Sequence, residues 1–335
     1  MDGKIAINGF GRIGRLTFRH VVEATKLELV AFNDIGPLDN LAYLLRHDSA
    51  QRDPEGTVAA AGQRLSWGNR SYRYLSVKDP TELPWKELDV KVVIEASGKF
   101  TSRDAAAKHL EAGAERVIVT APAKGADLTV CLGVNDDRYD PSKHRVLSNA
   151  TCTTNCLAPV AMVLDRRFGV ETGFLSTVHA VTSSQSLVDG PAKKWRRGRS
   201  AMTSIIPTST GATDATSLVL PELEGKMTGI AMRVPVVAGS IIELVARTRS
   251  KLTAEGVNDA LREAAETDRL RGILGVSDEP LVSADIVGTT WSALVDAKST
   301  AVLGGDTVRV LAWYDNEWAY ARRVAELAAK IAGAA

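Results

Sequence analysis

The stretch Lys4 to Phe10, KIAINGF, reads as a short buried strand, and it runs straight into Gly9-Phe10-Gly11-Arg12-Ile13-Gly14. The following residues, GRIGRLTFRHVVEA, carry Leu16, Val21 and Val22 at near-helical spacing. A strand, a turn with three glycines and a helix in that order leave few folds open. The first glycine allows the bend, the second lets a pyrophosphate approach the backbone, and the third packs helix against sheet. The helix start adds N–H donors and a partial positive charge. LELVAFND reads as a second strand, and Asp34 at its end stands twenty positions beyond Gly14. A carboxylate at that spacing binds both hydroxyls of a ribose. A glycine turn alone is a weak signal, but strand context, position and acid spacing agree, which selects dinucleotide binding over a merely structural turn. Asp34 repels a 2′-phosphate, so the cofactor reading is NAD rather than NADP.

The pattern continues past this motif. LDNLAYLLRH reads as a helix, and TVAAAGQRLSWGNRSYRYLSV alternates around Gly68-Asn69 as a hairpin inserted into the unit. VKVVIEASG, SRDAAAKHLEAGA, RVIVTAP and HRVLSNA then alternate strand with helix or loop, the mark of a parallel sheet. The first ~150 residues therefore read as one Rossmann-type α/β unit. After Ala150 the wording changes. CTTNCLAPVAMVLDRRF is helical provided Pro159 lies in or near the first turn. GFLSTVHAV, TGIAMRVP, SIIELVARTRS and ALVDAKSTAVLGGDTVRVLAWYD are closely spaced strands, the last two-part stretch turning at Gly304-Gly305. They predict an α+β domain with a mainly antiparallel sheet. The final helix aligns Ala321, Val324, Leu327, Ala328 and Ile331 on one face, a stripe that needs a surface to cover. At 335 residues the chain exceeds the ~250–300 at which a single core stops growing, so two domains are expected.

Composition excludes several classes. Hydrophobic residues make up 45% and charged residues 24%, ordinary for a globular chain and unlike a disordered or fibrous one. A formal charge of +1 draws no polyanion to the whole molecule, so no dedicated nucleic-acid partner is expected and anion recognition must be local. No run approaches the ~18 apolar residues of a membrane span, so no membrane partner is expected. Three cysteines without C-x2-C pairs make neither a disulfide framework nor a metal site. Together with an N-terminus that lacks a charged leader and apolar segment, they predict a cytoplasmic protein and no metal.

Two of those cysteines sit four apart in SNATCTTNCLAP. Cys152 falls at the start of the expected helix, where unpaired N–H groups and the dipole favour thiolate. Cys156 lies one turn deeper, where the dipole has faded, and reads as a packing residue, as does Cys131. Of five histidines, His20 and His109 fall in helices and His47 and His144 in polar loops, places that need no function. His179 ends an apolar strand where hydroxyl residues begin. A strand end facing a helix start suits a Cys–His pair, although sequence alone does not show whether the two meet. AKKWRRGRSAM, with Lys193, Lys194, Arg196, Arg197 and Arg199, reads as a solvated loop or a local phosphate site. The hydroxyls and backbone of Thr208, Ser209, Thr210 and Gly211 downstream favour the phosphate site.

Taken in order along nearly the whole chain, INGFGRIGR, SNATCTTNC, PTSTGA and WYDNEW resemble the phosphorylating glyceraldehyde-3-phosphate dehydrogenase family. The resemblance implies NAD-dependent oxidation of glyceraldehyde 3-phosphate to 1,3-bisphosphoglycerate, in glycolysis or gluconeogenesis, with inorganic phosphate as second substrate. It implies Cys152 as nucleophile and His179 as general base. Gly9, Gly11, Arg12, Ile13, Gly14, Asp34 and Thr120 match cofactor contacts, and Asn316 the holder of the nicotinamide carboxamide. Arg233 and Thr182 match the substrate-phosphate site. Thr151, Thr153, Thr210 and Gly211 match the inorganic-phosphate site, with Arg197 near both. The implied domains are an NAD-binding domain of residues 1–151, completed by the C-terminal helix 317–335, and a catalytic domain of residues 152–316. SLVDGPAKKWRRGR matches a loop that reaches a neighbouring subunit's cofactor in a homotetramer. Thr151 replaces a usual serine, and RVPVVAGSIIEL, with its Val236–Gly239 turn, departs from the usual wording. A related enzyme, erythrose-4-phosphate dehydrogenase, and a non-catalytic nucleotide-binding relative are the alternatives.

Overall fold

The computed structural model describes residues 3–333 and divides the chain into two compact units. The first runs to Val130 and takes in Arg138–Ala150 and the chain from Ala321 onward; the second holds Cys131–Asp137 and Thr151–Tyr320.

In the first unit, β1 (Lys4–Asn8), α1 (Arg12–Ala24) and β2 (Glu28–Asn33) are followed by α2 (Leu38–Arg46) and by β3 (Val58–Ala61), β4 (Arg64–Trp67) and β5 (Arg70–Leu75). Next come β6 (Val92–Glu95), α3 (Arg103–Glu111), β7 (Arg116–Val119), β8 (Leu128–Thr129) and β9 (Val146–Ser148). Among the described residues they form a sheet ordered β3-β4-β5-β2-β1-β6-β7-β9-β8. The central strands β2, β1, β6 and β7 are parallel, and Ile5, Ala6, Ile7, Val92, Val93 and Ile94 are fully buried, as strands covered on both faces require. The hairpin at Gly68-Asn69 is present as β4–β5, and β3 extends it by one antiparallel strand. Aromatic packing anchors this insertion: Phe18 of α1 lies 5.8 Å from Trp67 and 4.9 Å from Tyr72 between ring centroids.

The order of strands reverses between β1 and β6, and the last residues of three neighbouring strands are polar there. Asn8 is opposite Asn33 on one side and Glu95 on the other. Asn33 Nδ2 donates to Asn8 Oδ1 (2.7 Å), and Asn8 Nδ2 donates to Glu95 Oε2 (2.5 Å). Trp85 Nε1–H donates to His109 Nδ1 (3.0 Å), which places the His109 proton on Nε2, facing Glu95 Oε2 at 3.0 Å. His109 is thus a satisfied core histidine, and the rung fixes the strand ends from which the glycine turn departs.

The second unit opens on α4 (Cys152–Phe168), β10 (Val170–His179), β11 (Ile206–Ser209), α5 (Ala212–Val219), β12 (Met227–Arg233) and β13 (Ser240–Thr248). It continues with α6 (Ala254–Ala265), β14 (Leu274–Ser277), α7 (Ser283–Ile286), β15 (Ala293–Leu303) and β16 (Thr307–Tyr314). The sheet runs β11-β12-β10-β13-β16-β15-β14; β10–β12 and β14–β15 are parallel and the remaining pairs antiparallel. Alternation along β13 sends Ile242, Leu244 and Ala246 into the core, on which α4 packs. The short edge strands β11 and β14 carry no strong alternation and are additions to the sequence reading. Pro159 corrects it: the proline is the eighth residue of α4, beyond the first turn, and the helix passes through it at the expense of one backbone donor. The last helix, α8 (Trp318–Ala332), buries Ala321, Val324, Leu327 and Ala328, and a Cβ on Gly3 would fall 2.4 Å from that of Ala332.

Candidate active site

The glycine turn of the first unit assigns each glycine a separate physical reason. Gly9 has φ +94°, and a Cβ there would stand 2.4 Å from the Ser97 nitrogen. A Cβ on Gly14 would lie 1.9 Å from the Gly9 carbonyl oxygen, so the helix could not sit down on the turn. At Gly11 a Cβ would meet nothing within 4 Å. The helix α1 starts there without a side-chain cap and without an acidic residue in its first turn, so its N–H donors face that open side. Asp34 accepts from Phe10 N (2.6 Å) and Gly36 N (2.8 Å), which holds its carboxylate beside the turn. Arg12 is paired with Asp48, Ile13 is half-buried, and Thr120 donates through both N and Oγ1 to the Glu95 carbonyl (3.0 and 3.2 Å). An open cradle of amides with a carboxylate at ribose spacing fits a dinucleotide.

In the second unit Cys152 is the first residue of α4, with Thr151 as its N-cap. Thr151 Oγ1 accepts from Thr154 N (2.9 Å), which explains why the helix begins here. Cys152 is half-buried, and its Sγ lies 3.4 Å from His179 Nε2. The parallel register of β10 and β12 sets His179 beside Arg233, whose Nη1 contacts His179 Nδ1 and donates to the Ala180 carbonyl (3.0 Å). Cys156 is fully buried with its Sγ 3.7 Å from the Ala312 carbonyl, and Cys131 is buried as well. Both keep the packing reading.

Around this pair the hydroxyls are arranged differently from one another. Thr153 is buried, and its Oγ1 meets the Tyr314 hydroxyl (2.8 Å), which also meets Thr177 Oγ1 (2.9 Å). Thr182 Oγ1 meets Ser184 Oγ (2.9 Å), and Arg197 donates from Nε to Thr208 Oγ1 (2.9 Å) and from Nη1 to Ser184 Oγ (3.4 Å). Thr210 Oγ1 accepts from Ala212 N (3.2 Å), and Gly211 caps α5 with open space where a Cβ would stand. Asn316 is buried and its Oδ1 accepts from Ser240 Oγ (2.9 Å), while that same Oγ accepts from Ala180 N (3.0 Å). Its Nδ2 is thereby aimed by a chain that begins next to His179. Sequence reasoning missed Tyr314, Ser240 and Ser184. Tyr314 lies within WYDNEW, but its partners are remote in the chain.

The electrostatics modify the sequence reading of the thiol. Burial pushes the Cys152 thiol up; the Arg233 charge, the Thr153 hydroxyl and the first-turn amides pull it down without cancelling the burial. Burial, and after it the Arg233 charge, holds His179 down at about 3, against the pull of the Ala180 carbonyl. The ordinary histidine value is 6.5, so between those limits the unfolded chain binds a proton that the folded chain refuses. Stability from this group is complete above pH 6.5 and is lost progressively as pH falls toward 3. The urea midpoint should therefore drop on acidification through this window, and His179→Gln should show a smaller drop. An equal drop in both would remove His179 from the acid response.

A Rossmann-type unit with a ribose-spaced acid, joined to a unit that pairs a helix-start cysteine with a histidine, defines a nicotinamide-dependent dehydrogenase as the class. Family models described as the glyceraldehyde 3-phosphate dehydrogenase NAD binding domain and C-terminal domain match residues 3–103 and 151–316. Glyceraldehyde-3-phosphate dehydrogenase of Geobacillus stearothermophilus is 50% identical over 332 residues, 99% of each chain, and glyceraldehyde-3-phosphate dehydrogenase 1 of Bacillus subtilis (strain 168) matches to the same extent. Glyceraldehyde-3-phosphate dehydrogenase of Streptomyces coelicolor is 45% identical over 98% of each chain. The chain belongs to the glyceraldehyde-3-phosphate dehydrogenase family.

Proposed function

We infer that this chain oxidises glyceraldehyde 3-phosphate to 1,3-bisphosphoglycerate, with NAD and inorganic phosphate, through a thioester on Cys152. The observation that carries the reading is the 3.4 Å approach of Cys152 Sγ to His179 Nε2 at the start of α4. Gly9, Gly11 and Gly14 with the α1 amides receive the pyrophosphate and Asp34 the ribose, flanked by Arg12, Ile13 and Thr120. Asn316 Nδ2 donates to the nicotinamide carboxamide. When bound, NAD supplies the hydride acceptor. Cys152 sulfur adds to the aldehyde carbon as its proton passes to His179 Nε2, and the displaced electron pair on oxygen, stabilised by the Cys152 N–H, takes that proton from His179 to give the hydroxyl. His179 Nε2 takes the hydroxyl proton as the carbon loses its hydride. Arg233 and Thr182 hold the substrate's phosphate. Arg197, Thr210 and Gly211 present the incoming phosphate, whose oxygen attacks the thioester carbon and releases the sulfur. Thr151 and Thr153 join them only by exchanging the cap and Tyr314 for the anion.

The test follows NADH formation from glyceraldehyde 3-phosphate and phosphate, with NADP in parallel. NAD should be preferred by about tenfold or more in kcat/KM, worth ~1.4 kcal/mol, because Asp34 faces a 2′-phosphate with like charge. Asp34→Ala should narrow the gap chiefly by weakening NAD. Equal use of both nucleotides by the unaltered chain would sink the assignment of Asp34.

The proposal extends to location and assembly. Three free cysteines support a reducing, cytoplasmic setting, and among the described residues no helix is long and apolar enough to cross a membrane. One face of the second sheet presents Phe174, Val178 and Ile230 to solvent, and the following loop presents Leu187, Val188 and Trp195. Such surfaces support a homotetramer. Light scattering after gel filtration should give four times the chain mass of 35.8 kDa, and a monomer would refute this.

A further inference from the structure

We propose that Glu95 is a buried carboxylate anion that positions the dinucleotide turn: it holds Asn8 on one side of Gly9 and Ser97 on the other, and only an ionised carboxylate satisfies the four donors aimed at it. The proposal rests on the reading of that turn as the cradle of the NAD pyrophosphate.

The direction of each hydrogen bond in the buried rung is set from its two ends. At one end the Val77 N–H donates to Asn33 Oδ1 (2.9 Å) and the Val77 carbonyl accepts from Asn33 Nδ2 (2.9 Å), so the Asn33 amide has a single orientation. Its Nδ2 therefore faces Asn8 as a donor. Asn8 must answer with Oδ1 (2.7 Å), which leaves its own Nδ2 pointing at Glu95 Oε2. At the other end the Trp85 indole, which only donates, engages the lone pair of His109 Nδ1 (3.0 Å), and His109 Nε2–H points at the same Oε2 (3.0 Å). Glu95 Oε1 accepts from Ser97 N (2.8 Å) and faces the Ser97 hydroxyl, whose oxygen accepts from Lys99 N (3.2 Å) and whose proton therefore turns to the carboxylate. Each carboxylate oxygen thus meets two donors, and a proton on either would stand against an N–H. Glu95 is 1% exposed, and among the described residues no lysine or arginine pairs with it. Neutral donors replace water around a buried anion.

These bonds converge on Gly9. A Cβ there would stand 2.4 Å from Ser97 N and 2.5 Å from Ser97 Cα, so the Ser97 backbone is the surface on which the turn rests. Asn8 precedes Gly9 directly, Ala96 N donates to the Asn8 carbonyl (2.7 Å), and Gly9 N donates to the Asn33 carbonyl (2.8 Å). Helix α1 in turn seats Gly14 against the Gly9 carbonyl. A shift of Asn8 or Ser97 therefore moves Gly9, Phe10 and Gly11 together with the helix start whose amides face the open side. The rung lies where the strand order reverses, between β1 and β6, the place at which open α/β sheets receive ligands. Glu95 does not touch the nucleotide in this account; it acts through its two neighbours.

Glu95→Gln keeps the shape but sets an NH2 against donors whichever way its amide turns. Calorimetry on the full chain should show the Kd for NAD raised about tenfold, the worth of one hydrogen bond to a charged group. Steady-state assays should show a matching rise in KM for NAD, with kcat at saturating NAD, KM for glyceraldehyde 3-phosphate and iodoacetamide labelling of Cys152 in the nucleotide-free chain unchanged. Asn8→Asp alone sets carboxylate against carboxylate and should also weaken NAD. In the double variant the new amide donates to the new carboxylate while the bond from Asn33 is kept, so it should bind NAD more tightly than Glu95→Gln alone. Losses that merely add would overturn the assigned polarity, and NAD binding by Glu95→Gln as tight as that of the unaltered chain would overturn the positioning role. A weaker Kd accompanied by an equal fall in kcat and slower labelling would mark general loosening and overturn it too. An unaltered chain that does not bind NAD would overturn the reading of the turn and the proposal together. Should Glu95→Gln not fold, Ser97→Ala, which removes one of the four donors, decides: a smaller rise in Kd with unchanged labelling supports the proposal, and an unchanged Kd refutes it.

Discussion

Replacing His179 with Asn should lower kcat by roughly 10²–10⁴, the usual cost of losing a positioned base. The loss should fall on the oxidation step, because the same imidazole must receive the thiol proton and then the proton of the thiol–aldehyde adduct. The variant should also slow alkylation of Cys152 by iodoacetamide near neutral pH, with the difference from the unaltered chain closing as pH rises and thiolate forms without help. Labelling followed by peptide mapping separates this from general damage. Cys152 is half-buried at a helix start, whereas Cys131 and Cys156 are buried and burial pushes both thiols up. Cys152 should therefore be modified far ahead of the other two. Labelling of Cys156 first, or an alkylation rate that ignores His179, would reverse the assignment of nucleophile and base.

The parts of this site that are legible in the chain are those whose chemistry is local. Gly9, Gly11 and Gly14 act within one turn, and Asp34 lies at the end of the next strand, so spacing alone recovers them. The helix start at Cys152 is visible for the same reason: Thr151 caps the third residue beyond it. Other features depend on which strands lie side by side. The meeting of His179 with Arg233 follows from the parallel pairing of β10 with β12, across 54 positions, and nothing in either segment announces that partner. Thr153 looks like a free hydroxyl beside the thiol, but Tyr314, 161 positions away, has taken it. Pro159 looks like a first-turn residue because proline favours that place, yet packing on both sides of α4 carries the helix through it. Propensity and spacing are properties of a segment, while partners are properties of the sheet.

Glyceraldehyde 3-phosphate should support steady turnover only with inorganic phosphate or arsenate present. The thioester on Cys152 retains the free energy of aldehyde oxidation, and it turns over only if an acceptor oxygen reaches its carbon. Thr210, with its hydroxyl at the start of α5, and Gly211, with open space beside it, stand ready for an anion, and Arg197 lies among hydroxyls of the same unit. Without phosphate the enzyme should release a burst of about one NADH per active site and then stall as the thioester. Erythrose 4-phosphate should be the poorer substrate. If Arg233 and Thr182 anchor the substrate's phosphate, one extra carbon moves the aldehyde relative to Sγ, and a displacement of ~1 Å costs about 10²-fold. The two measurements together separate phosphorolysis from hydrolysis. Rapid turnover without phosphate, or a kcat/KM that favours the four-carbon sugar, would mean that water resolves the thioester and that the hydroxyls near Arg197 serve another anion.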